Sequence, residues 1–117
     1  MKTGDRVVDV PALMDRLEGD MELLKELVAL YVEDEPGLLA EIDRAIEGGD
    51  ADGVRRAAHT LKGAVSNFCA PAAQAAALEL ETAGRAGVLD GAPAALARLR
   101  DVLDKVRAEL GELSRRE

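Results

Sequence analysis

Residues 96–113, LARLRDVLDKVRAELGEL, place Leu96, Leu99, Leu103, Val106, Leu110 and Leu113 at successive spacings of 3, 4, 3, 4 and 3. An α-helix returns a side chain to the same face every three or four positions, so these six form a narrow apolar seam. Charged residues fill most of the positions between them. A helix of this kind must bury its seam against partner helices of its own chain or against a second copy.

Glycine and proline divide the rest of the chain into segments of the same character. Asp90–Gly91–Ala92–Pro93 is the turn that opens the seam helix. Before it, Pro71 fits the first turn of a helix ending around Gly84–Gly87, and another helix starts near Asp50 or Asp52 and runs to about Phe68. Gly48–Gly49 stops a longer segment that begins at Asp20 and carries Leu23, Leu24, Leu27, Val28, Tyr31, Leu38, Leu39, Ile42 and Ile46. Within it, Asp34–Glu35–Pro36 either kinks the helix or restarts it. Asp9–Val10–Pro11 opens a short first helix with Leu13, Met14 and Leu17, stopped at Gly19. The spacing predicts an all-α fold. Its four substantial helices pack as an antiparallel four-helix bundle, with a short additional N-terminal helix across one end.

Composition agrees with this reading and excludes several classes. Alanine (21) and leucine (17) dominate the 117 residues, while aromatics make up 2%, a balance that favours helix over sheet. The length predicts one domain spanning 1–117. Fifteen Lys and Arg against 23 Asp and Glu give a net charge of −8, so nucleic acid is not an expected partner. One cysteine, Cys69, and one histidine, His59, exclude an intrachain disulfide and any metal site built from several Cys or His ligands. The short apolar runs predict no membrane insertion, and no signal-peptide pattern follows Met1. A cytoplasmic monomer is the expectation.

The single histidine stands in unusual company. At 100° per residue, Val54, Ala57, Leu61, Ala64, Val65 and Phe68 form an apolar stripe opposite His59. Asp52, Arg55, Arg56, Lys62, Gly63 and Ser66 lie within about 60° of it. His59 is therefore expected on the solvent face, with three cations close by in an acidic protein. Gly63, one turn on, costs the helix about 1 kcal/mol relative to alanine, which makes sense where another backbone must approach closely. Each feature alone reads as an ordinary solvated face. Their coincidence points to a site that handles an anion.

The segment AHTLKG, residues 58–63, with Ala57 before it and AVSNF after it, resembles the phosphoacceptor motif of histidine-containing phosphotransfer (HPt) domains of two-component phosphorelays. DVPALMDRLEGDMELLKELVALYVEDEPGLLAEI, residues 9–42, and ALELETAGRAG, residues 77–87, are similar to the segments flanking that motif. The resemblance implies that His59 carries the phosphoryl group, that Lys62 steadies it, and that Gly63 leaves space for the partner. It places Glu81 near the imidazole, with Arg85 reaching toward the same end; a surface salt bridge between these two fits equally well. Arg55, Arg56 and Ser66 join them as candidate contacts to phosphate or partner. Many members have glycine where this chain has Cys69, a change expected to touch local geometry, with a small buried thiol in its place.

Phosphoryl transfer needs positioning and charge compensation, and neutral imidazole is a competent nucleophile. The chain has no P-loop, no GxGxxG and no carboxylate cluster for Mg²⁺. No cofactor is therefore expected on this chain, and Mg²⁺ should come from the partner. The implied partners are response-regulator receiver domains, which donate and accept through an aspartate, with a hybrid sensor histidine kinase as a further candidate. On this reading the domain is a phosphorelay intermediate without turnover of its own. An adaptor that uses the bundle only for binding is the alternative. A small hydrolase is disfavoured because Ser66 and Cys69 share a helix with His59.

Overall fold

Three aspartates open three helices by the same device. Asp9 accepts the Ala12 N–H at 3.1 Å, Asp20 the Leu23 N–H at 3.0 Å and Asp50 the Gly53 N–H at 2.9 Å, each satisfying a donor that the first turn leaves without a partner. The helices they start are α1 (Val10–Arg16), α2 (Met21–Glu47) and α3 (Ala51–Ser66). Helices α4 (Pro71–Ala86) and α5 (Ala92–Ser114) have no capping side chain and begin with a proline in the first turn, where its missing N–H costs nothing. These elements come from a computed structural model, which describes residues 6–116.

The four long helices pack in a ring: α2 on α3, α3 on α4, α4 on α5 and α5 back on α2. Short turns make sequential neighbours antiparallel, so the molecule is the all-helical bundle that the spacing predicts. All six seam residues of α5 are buried within the chain, so the seam needs no second copy to cover it. Around it lie Leu24, Ile42, Leu61 and Leu80, with no side-chain exposure. None of the helices described is long and apolar enough to cross a membrane.

Helix α2 runs unbroken through Pro36. Pro36 and Val32, whose carbonyl the proline deprives of its helical partner, are both exposed, so the lost bond falls on the solvent side of the helix. The short helix α1 lies across the turn between α3 and α4. There the Asp9 N–H donates to the Cys69 carbonyl at 2.8 Å and the Arg16 guanidinium to the Ser66 carbonyl at 3.0 Å. Ahead of it, the Val7 and Val8 N–H groups donate to the buried Glu109 carboxylate, each at 2.9 Å.

The turn after α3 departs from the expectations. Helix α3 ends at Ser66, and the chain turns through Asn67, Phe68 and Cys69. Cys69 adopts φ +54°, a left-handed conformation that costs an L-residue about 1–2 kcal/mol and a glycine nothing. This gives a physical reason for a glycine at this position, and the Cys69 thiol is half-buried rather than buried. Gly84 lies inside α4, two residues before its last helical residue. A Cβ there would stand 2.6 Å from both the Ala51 carbonyl oxygen and the Arg55 nitrogen, so this glycine is where α3 and α4 touch backbone to backbone.

Candidate functional site

Helix α3 buries Val54, Ala58, Leu61 and Val65. The stripe expected from spacing omits Ala58 and includes Ala57 and Ala64, which are only half-buried. The true buried face is thus rotated toward α4, and His59 lies roughly 130° from its centre rather than opposite. The histidine is on the solvent face as expected, with its side chain 64% exposed. It stands at the edge that borders α4.

That border is built around a buried acid. Glu81 occupies the packed face of α4 beside Ala77, Leu80 and Gly84 and is 2% exposed. Its Oε2 lies 3.0 Å from His59 Nδ1 and 2.9 Å from an Arg85 guanidinium nitrogen, and its Oε1 lies 2.7 Å from Lys62 Nζ. Lys62 beside Glu81 holds the carboxyl below the usual carboxylate range; burial opposes this, and the hydrogen bond with His59 reinforces it. An ionised carboxylate only accepts, so in the neutral imidazole the proton sits on Nδ1. The Nε2 lone pair is then free and faces solvent. The arrangement offers a fixed nucleophilic nitrogen with two cations beside it.

His59, Lys62, Glu81 and Arg85 are therefore brought together. A carboxylate so placed takes cations and N–H donors, so any contact between Glu81 and an anion at His59 runs through Lys62 and Arg85. Gly63 is exposed, and a Cβ built on it would meet nothing within 4 Å, leaving bare helix backbone one turn from the histidine. Arg55 and Arg56 both pair with Asp52, at 2.8 and 3.3 Å, so one acid shares the two cations expected to bracket the imidazole. Arg55 foremost holds the Asp52 carboxyl low. Ser66 is not drawn into the cluster: its hydroxyl donates to the Gly63 carbonyl at 2.7 Å and its own carbonyl takes Arg16.

The depth of Glu81 had a signal in the sequence, since it lies four residues after Ala77 and three before Gly84, in the apolar stripe of α4. The same signal marks Glu35, which lies between Tyr31 and Leu39 on the buried face of α2. No group of three or more His, Cys, Asp or Glu among the described residues could hold a metal ion.

The family model for the Hpt domain matches residues 26–109. Among solved structures, the crystal structure of histidine-containing phosphotransfer protein B (HptB) from Pseudomonas aeruginosa PAO1 is similar over nearly the whole chain. Its TM-score is 0.88 at 27% identity, covering 97% of this chain and 98% of that one. The curated proteins include no match to the sequence.

Proposed function

The chain belongs to the Hpt domain family, the phosphotransfer proteins of two-component phosphorelays, and from that premise we propose that His59 is its phosphoacceptor. The observation that carries the assignment is the exposed imidazole whose Nδ1 lies 3.0 Å from a buried carboxylate, which directs the Nε2 lone pair outward. The Nε2 atom attacks the phosphorus of an aspartyl phosphate on a receiver domain. A P–N bond forms as the acyl-phosphate P–O bond breaks, and the electron pair leaves with the receiver's carboxylate. The Nδ1 proton stays in its hydrogen bond to Glu81 throughout, so no general base is needed. Transfer to a second receiver is the same step reversed.

Lys62 and Arg85 are close enough to His59 to shift from Glu81 toward the phosphoryl oxygens, compensating charge that Glu81 alone would repel. Gly63 leaves room for the receiver's backbone. The Mg²⁺ that such a transfer uses is supplied by the receiver's own acidic mouth, because among the described residues no group of three or more acids or other ligands could hold it. The domain has no turnover alone and acts only with a receiver.

The test is incubation with a receiver carrying labelled aspartyl phosphate. The wild-type chain should take up label that is stable in alkali and lost in acid, as a phosphoramidate is. His59→Gln should take up none while staying folded, since a glutamine amide can still donate a hydrogen bond and Lys62 and Arg85 still pair with Glu81. Label retained by His59→Gln would refute the assignment.

A further inference from the structure

Glu81 holds the imidazole with a charge that the hydrogen bond itself does not need. It is buried, and a covered carboxylate requires a positive or N–H partner. A glutamine in its place would accept the Nδ1–H as well, with no charge to cover. The two differ once the ring loses its Nδ1 proton. An amide can turn its NH₂ group to a bare ring nitrogen, whereas an ionised carboxylate only accepts. A bare Nδ1 lying 3.0 Å from Glu81 Oε2 would therefore set lone pair against lone pair.

Phosphorylation is the event that raises this question. With a phosphoryl group on Nε2 and a proton on Nδ1 the ring is cationic, and shedding the proton would make it neutral. In the resting chain Glu81 has Lys62 at 2.7 Å and Arg85 at 2.9 Å. Phosphoryl oxygens compete for both cations, and as these turn outward the cationic ring is the positive partner that stays with the carboxylate. Two further sets of charges surround His59. On α3 itself Arg55 and Arg56 share Asp52, and on the α2 flank Asp34, Glu41 and Arg44 border Thr60. The two sets carry opposite net charge, which leaves the decision to Glu81, in contact with Nδ1.

We propose that Glu81 keeps the phosphorylated ring protonated at Nδ1 and thereby sets how fast the phosphorylated domain discharges. The inference rests on the phosphotransfer reading above and concerns its outgoing step. When the P–N bond breaks, its electron pair returns to Nε2 and the phosphoryl group passes to a receiver carboxylate or to water. With Nδ1 protonated, what leaves is neutral imidazole; without that proton it is an imidazolate anion, a far poorer leaving group. Where water is the acceptor, it supplies the oxygen and both protons of dihydrogen phosphate, and the resting chain is restored. A domain built in this way passes phosphate on rather than storing it.

The test compares the wild-type chain with Glu81→Gln, both phosphorylated through a receiver, freed of it and labelled with ¹⁵N at histidine. Each is followed folded between about pH 6 and about pH 9, a range that spans the ordinary imidazole titration near 6.5. In the wild type the ¹⁵N shift of Nδ1 should remain that of a protonated nitrogen throughout. In Glu81→Gln it should change to that of a bare nitrogen within the range. One pH unit above that change, release of phosphate from the variant should be about tenfold slower than from the wild type, while at the acid end the two agree within about twofold. A merely structural role for Glu81 would alter both ends alike. A wild-type Nδ1 that loses its proton at the same pH as the variant's would overturn the proposal, as would equal release at the alkaline end. If Glu81→Gln does not fold or takes up no phosphate, the wild-type titration decides alone, and loss of the Nδ1 proton near pH 6.5 overturns the proposal. A wild-type chain that no phosphorylated receiver labels would instead overturn the phosphotransfer reading, and this inference with it.

Discussion

Glu81 holds its charge at a position of α4 where the spacing would otherwise put an alanine or a leucine. Ionised, it is stabilised by Lys62 at 2.7 Å, by Arg85 and by the imidazole, and its folded pKa lies below the ordinary value of about 4.5. The unfolded chain therefore takes up a proton at higher pH than the folded one. Stability from this group is complete above about pH 4.5 and is lost as pH falls through the lower folded value. Glu81→Gln should flatten the acid limb of stability, read as the urea midpoint followed from neutral pH downward. A variant whose midpoint falls with acid as steeply as the wild type would show that this carboxylate is not the group being protonated. The exposure of His59 was legible in the sequence because it depends only on helical geometry. The pairing of Lys62 with an acid on another helix was not, because it depends on how α3 and α4 are rotated against each other. Ala58 is the residue that betrays the rotation.

Two glycines inside helices make the same point for elements. Gly63 and Gly84 have a similar helical cost; the sequence reads Gly63 as room for another backbone to approach and Gly84 as part of the end of its helix. A Cβ at Gly63 meets open space, whereas one at Gly84 would overlap the α3 backbone at 2.6 Å. Gly63→Ala should therefore stabilise the bundle by up to about 1 kcal/mol. Gly84→Ala should destabilise it by about 1–3 kcal/mol, because α4 must move off α3. Chemical denaturation of the two variants checks both signs, and a shared sign would contradict the close crossing. The helix starts were legible because Asp9, Asp20 and Asp50 cap locally. The course of α2 through Pro36 was not, because a proline's effect is decided by what surrounds it, here the exposed face at Val32 and Pro36 outside and the Tyr31–Glu35 hydrogen bond within.

For the molecule as a whole, charge matters first. The net charge is −8, yet Lys62 and Arg85 share Glu81, and Arg55 and Arg56 share Asp52, so each trio leaves one positive charge near His59. On the proposed reading an acidic receiver mouth would be steered to this patch, but less strongly than by three free cations. The double change Arg55→Ala, Arg56→Ala should slow association a few-fold at low salt, with the difference fading as the Debye length falls below about 8 Å. Lys62→Ala should instead lower the transfer rate at saturating receiver. Stopped-flow binding and single-turnover transfer, run side by side, separate the two roles; equal effects on association alone would make Lys62 part of the docking surface only. The most direct measurement uses the fact that His59 is the chain's only histidine. With histidine labelled by ¹⁵N and the chain phosphorylated through a receiver, the Nε2 resonance should acquire coupling to ³¹P while Nδ1 keeps its proton. Coupling at Nδ1, or phosphate taken up with no coupling at either nitrogen, would contradict the account.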